Sequence, residues 1–69
     1  MKVRDLQRRL LELGARPVRI SGSHEVWELP DGHSVPIVVK RLGDDVSAGV
    51  LAAVARSLRR AGLELRAEQ

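Results

Sequence analysis

Two connectors restrict this chain more than any other feature. Gly22-Ser23 and Pro30-Asp31-Gly32 separate three stretches that alternate in polarity, and neither is long enough for a crossover. Parallel strands need a connection of a dozen residues or more, whereas antiparallel neighbours can be joined by two. Residues 16–21, 24–29 and 33–40 are therefore expected to form an antiparallel β-meander. In the first stretch Val18 and Ile20 alternate with Arg19 and Ser21. In the second, period two puts His24, Val26 and Glu28 on one face and Glu25, Trp27 and Leu29 on the other. In the third, Val35, Ile37 and Val39 alternate. Pro17 suits a strand start or an edge, and Pro36 needs its nitrogen to face outward or to sit at a bulge. Pro30 presets φ and Gly32 accepts positive φ, which makes that connector a turn.

Helical periodicity flanks the meander on both sides. Val3, Leu6, Leu10 and Leu13 recur at the spacing of one helix face, with Leu11 widening the stripe. Gly14 suits the left-handed position that closes a helix, and Pro17 prevents continuation. Residues 42–46, with Gly43, Asp44 and Asp45, read as a loop. Ser47 is a candidate N-cap for a helix over 48–61, with Leu51, Val54 and Leu58 as its buried stripe and Val50 and Ala61 beside it. Arg56, Arg59 and Arg60 crowd its last turns, where cations suit the helix dipole, and Gly62 ends it. Leu63 and Leu65 then alternate with Glu64 and Arg66, so residues 64–69 are either a flexible tail or a short fourth strand. The expected architecture is α+β in the order αβββα, a three-stranded antiparallel sheet covered on one face by both helices. The other face is left to solvent or a partner. Trp27, the one aromatic residue, is the natural large core side chain. Parity then turns His24 away from the core, unless a bulge reverses it.

Composition narrows the function classes. The 69 residues make one small domain, 1–69, with 43% hydrophobic residues, which describes an aliphatic core and not a disordered segment. There is no cysteine, so disulfide and thiolate chemistry are excluded, in keeping with a cytoplasmic protein. Met1-Lys2-Val3-Arg4-Asp5 lacks the apolar run of a signal peptide, and no stretch approaches a membrane span. The net charge is +3, unevenly placed. Lys2, Arg4, Arg8, Arg9, Arg16 and Arg19 oppose only Asp5 and Glu12 in the first 20 residues, whereas 21–35 carry Glu25, Glu28 and Asp31 with no cation. A basic first helix suits a polyanion, and it equally suits a solvated face.

His24 and His33 are the two histidines, the residue type whose ordinary pKa, about 6.5, lies nearest neutrality. The plain reading of each is a surface histidine. Their spacing, with Glu25 and Asp31 nearby, matches no familiar metal-ligand pattern. Asp44-Asp45 reads as a turn or an acidic pair before a helix. Ser23 and His24 are adjacent, and neighbours on a strand face opposite ways, which argues against a nucleophilic triad. No glycine-rich phosphate loop is present. A lone histidine among cations suits one reaction well, cleavage of RNA through its own 2′-hydroxyl. There the substrate brings the nucleophile, and the protein supplies a base and positioned charge. Composition permits this reaction without selecting it.

The segment Gly22-Ser23-His24-Glu25-Val26-Trp27 followed by Pro30-Asp31-Gly32 resembles the Gly-Ser-His-x-x-aromatic and Pro-Asp-Gly pattern of HicA-type toxins. Met1-Lys2-Val3-Arg4-Asp5-Leu6 is similar to their first helix. Gly49-Val50-Leu51, leading to Ala61-Gly62-Leu63, is similar to their second. The resemblance runs from residue 1 to about 63. It implies a fold like that of double-stranded-RNA-binding domains and a metal-independent endoribonuclease, with no cofactor, acting on messenger RNA. It also implies restraint by an antitoxin partner of the HicB type. The family's histidine falls on His24, the catalytic candidate, and its preceding glycine on Gly22. Gly22, Ser23, Arg19, Lys40 and Arg41 are the candidate RNA contacts, with the arginines of the first helix behind them. Many members carry a second histidine or a basic cluster after the third strand. This chain has Lys40 and Arg41 there, followed by the acidic Asp44 and Asp45.

Two other functions fit the same residues. A non-catalytic RNA-binding module would show steeply salt-dependent binding without cleavage. A protein-interaction domain would form a clean complex with a neighbouring gene product and ignore RNA.

Overall fold

The computed structural model describes residues 1–39, 41 and 43–65. Lys40, and Arg66 of the expected fourth strand, lie outside the described residues. The order is α1 (Val3–Glu12), β1 (Arg16–Ser21), β2 (His24–Glu28), β3 (Ser34–Val38) and α2 (Ala48–Arg60). The three strands form one antiparallel sheet in the order β1-β2-β3, as the short connectors require. β3 is shorter than the expected 33–40. Among the described residues the sheet has no fourth strand; Leu63 and Leu65 follow α2 as irregular chain packed against the core.

Both helices close with the same device. Gly14, at φ +93°, donates to Leu11 O while the next amide, Ala15 N, reaches back to Leu10 O at 2.9 Å. Gly62 and Leu63 repeat the pattern on Arg59 O and Leu58 O. These paired bonds satisfy carbonyls that a helix end leaves orphaned, and the positive φ is why glycine stands at each site. α2 opens on Ser47, whose Oγ accepts from Val50 N at 3.2 Å. α1 has no side-chain cap. Instead Asp44 O accepts from Val3 N at 2.8 Å, and Val46 N donates to Met1 O, so the loop before α2 caps α1 with its backbone.

The core lies between the helices and one face of β2 and β3. Leu6 and Leu10 of α1, Val54 and Leu58 of α2, and Trp27, Leu29, Val35 and Ile37 of the sheet side make one buried cluster. Trp27 is the expected large core residue. β1 is different, because all six of its residues are exposed. Arg19 pairs with Val26 and Pro17 with Trp27, which leaves Val18 as an extra, bulged residue. Ile20 pairs with Glu25 and so shares the core-side face, yet it is 65% exposed because the cluster does not extend over the edge strand. The alternation that marked β1 as a strand therefore does not predict its burial.

Candidate functional site

Gly22-Ser23 is a two-residue hairpin loop. Only Gly22 of the pair has positive φ, at +59°, the pattern of a type II′ turn with glycine first. The loop sets Ser21 opposite His24 and fixes His24 as the first residue of β2. Val39 N donates to Ser23 O at 2.6 Å, so the chain leaving β3 is tied to the same turn. Arg41 follows two residues later, exposed, with its carbonyl accepting from Asp44 N in a tight turn. The hairpin end of the sheet thus collects Gly22, Ser23, His24 and Val39.

Cross-strand partners in an antiparallel sheet point to the same face. The uncovered face is therefore three rows of three: Ser21, His24, Val38; Arg19, Val26, Pro36; and Arg16, Glu28, Ser34. No bulge interrupts β2, so the parity reading holds and His24 is exposed on the face opposite Trp27. Arg19 is a diagonal neighbour of His24, about 7–8 Å away in a regular sheet, within reach of a long side chain. Arg19 and Arg41 carry no ion pair with any described residue. Arg16 differs, since its Nε lies 3.9 Å from Glu28 Oε1.

The arginines of α1 contribute less. Arg8 pairs with Asp5 at 3.1 Å and Arg9 with Glu12 at 3.3 Å, on a helix that packs behind the sheet. Lys2 pairs with Asp45 at 3.5 Å. Asp44 and Asp45 thus act as the turn residues they resemble, tying the loop to α1. A hollow of about 240 Å³ beside Val38 is lined by these two residues with Val3, Val46, Ser47 and Val50, an acidic rim that repels phosphate.

His33 stands at the far end of β2–β3, opposite Leu29 and about 17 Å of strand from His24, too far to act with it. It has the partner that its turn sequence did not advertise. Asp31 accepts from both His33 N at 3.0 Å and His33 Nδ1 at 2.8 Å. The backbone bond from His33, then its ring, holds the Asp31 carboxyl below the usual aspartate range. Among the described residues, no group of three or more His, Cys, Asp or Glu is placed to hold a metal ion, and no helix is long and apolar enough to cross a membrane.

Sequence reasoning missed Glu25. Its Oε1 accepts from Trp27 Nε1 at 2.9 Å and from Gln7 Nε2 at 3.0 Å. One carboxylate thereby ties α1 to β2 on the core side of the strand whose other side bears His24. The signal was present in the i, i+2 parity that puts Glu25 and Trp27 on one face, since a buried indole N–H needs an acceptor.

A family model described as HicA toxin of bacterial toxin–antitoxin matches residues 3–63. No curated protein and no solved structure matches the chain.

Proposed function

Because the chain belongs to the HicA family of bacterial toxin–antitoxin toxins, we propose that it is an endoribonuclease that cuts messenger RNA in the cytoplasm with His24 as its single proton-transfer group. The observation that carries the reading is the setting of His24. It is exposed on the uncovered sheet face, diagonal to an unpaired Arg19, and at the end where Val39, two residues before Arg41, is bonded to Ser23 O.

The chemistry follows from what that face offers. His24 takes the proton of a ribose 2′-hydroxyl, and the oxygen attacks the adjacent phosphorus. The bond to the 5′-oxygen breaks, leaving a 2′,3′-cyclic phosphate and a 5′-hydroxyl. The leaving oxygen takes its proton from water or from the same imidazole, now protonated. General acid–base help of this kind is worth about 10²–10⁴-fold. Arg19, Arg41 and Lys40 supply positive charge to the phosphorane, where charge grows during the reaction. Gly22 and Ser23 present backbone to the strand at the turn. No step needs a metal or cofactor. The toxin family pairs with an antitoxin, and a partner of the HicB type would silence this chain by covering the His24 face.

The test is cleavage of single-stranded RNA in EDTA by wild type and by His24→Ala, with thermal melting of both. Cutting by the wild type alone, with equal melting temperatures, is the expected result. Undiminished cutting by the variant, or loss of wild-type cutting in EDTA, would sink the assignment.

A further inference from the structure

The uncovered face divides into a charged half and an apolar half, with His24 between them. Along β1 it carries Arg19 and Arg16. Along β3 it carries Pro36 and Val38, exposed, and next to Pro36 lies the half-buried Val26. Val38 is 42% exposed. Register fixes the size of this patch. Val26 and Pro36 are cross-strand partners, about 4.8 Å apart, and Val38 lies two residues from Pro36, about 6.8 Å along the strand. The result is a plate of about 5 by 7 Å, the footprint of one heterocyclic ring.

We propose that Val26, Pro36 and Val38 form a subsite for a single unstacked nucleobase of the strand cut at His24. This rests on the ribonuclease reading of His24 and names the state of its substrate. A ribose at His24 has its phosphate on the Arg19 side and its base on the Val38 side, so both halves of the face are used by one nucleotide. Among the described residues the carboxylate on the face is Glu28, which already faces Arg16 at 3.9 Å, and Asp44 and Asp45 line the hollow beside Val38, so the phosphates are favoured on the Arg19 side and the uncharged base on the Val38 side. Its occupant is a base and not a duplex. A stacked, paired base cannot lie flat on a sheet, and the faces of paired bases are covered by their neighbours. The three side chains offer no hydrogen-bond donor or acceptor, so the subsite accepts any base and reads none.

The test uses a 2′-O-methyl RNA trinucleotide, which cannot be cut through the 2′-position and is too short to shift register past the subsite without losing its phosphate contacts, with one abasic residue placed at each position in turn. Binding to the full chain is read by fluorescence anisotropy. One abasic position is expected to weaken wild-type binding roughly five-fold, the scale set by the apolar area a base covers. In the double variant Pro36→Ser, Val38→Ser that penalty vanishes. In Arg19→Ala it persists, while the slope of log K on log salt becomes shallower by about 0.7. A ten-base-pair 2′-O-methyl duplex is expected to bind wild type more weakly than either of its single strands. Both serines replace exposed residues, circular dichroism checks their fold, and the abasic scan needs no variant at all.

A penalty that survives the double variant, or that is equal at every position, overturns the subsite. So does a double variant that binds the oligonucleotide normally but loses the antitoxin, because the face would then be a protein dock. Failure of wild type to cut all-ribose RNA would overturn the ribonuclease reading and leave this measurement intact.

Discussion

Replacing Glu25 by alanine tests whether one carboxylate joins the helix layer to the strand that carries His24. In the native fold Trp27 is 3% exposed, and its indole N–H donates to Glu25 Oε1 at 2.9 Å. The variant leaves that donor buried without a partner, a loss of about 1–3 kcal/mol. Gln7 loses its 3.0 Å bond to the same oxygen. It is only half-buried and can turn to water, so this adds no more than about 0.5 kcal/mol. The expected destabilisation is about 2 kcal/mol, against a total of about 3–10 kcal/mol for a domain of this length. The melting temperature should fall by about 8–16 °C. Glu25→Gln keeps an acceptor in place and should lose about half as much. Urea unfolding followed by circular dichroism measures both, and a double-mutant cycle with Trp27→Phe isolates the bond. A Glu25→Ala variant within about 0.5 kcal/mol of wild type, or equal losses in the Trp27 and Phe backgrounds, would refute the reasoning.

Four further outcomes follow from local geometry. Ser47→Ala removes the bond to Val50 N and should cost about 1 kcal/mol, read as a lower urea midpoint at unchanged slope. Gly22→Ala meets no atom within 4 Å, so its whole cost is the positive φ, about 1–2 kcal/mol; Gly49→Ala, in α2 with open space around it, should stabilise by about 0.4–1 kcal/mol. Asp31 has a folded pKa below its unfolded one, because His33 N–H and the His33 ring bond its carboxylate. Its stabilisation is therefore complete above the ordinary aspartate pKa and is lost as pH falls through the lowered value. Stability measured below about pH 4 should decline less steeply in Asp31→Asn.

The fold was legible because its determinants are local. The two short connectors dictate an antiparallel meander, Gly14 and Gly62 mark where each helix must stop, and Ser47 marks where the second starts. Pro36 shows how far such reasoning goes. Leu29 N bonds His33 O and Val39 N bonds Ser23 O, so the odd-numbered residues of β3 bond toward β2. The missing N–H of Pro36 therefore faces the open edge, one of the two places the sequence allowed it. β1 was not legible in the same way. Its alternation is genuine, but burial depends on what the helices cover, and the cluster they form stops at β2. The backbone cap that Asp44 gives α1 joins residues far apart in sequence and leaves no local pattern to find.

The candidate site was legible through a single parity. β2 puts Glu25 and Trp27 on one side and His24 and Val26 on the other, with no bulge between them. The strand thus separates two tasks that a 69-residue chain must perform with few residues. Its inner side holds the helices through an indole, a carboxylate and Gln7, and its outer side bears no buried side chain. A small domain has little stability to give up for a strained or desolvated active site. Exposed placement of His24 on the outer side costs the core nothing. It also leaves His24 on an open face, and the hollow beside that face is acidic. Under the ribonuclease proposal the substrate must therefore bring its own shape, charge and nucleophile, and a single-stranded RNA brings all three.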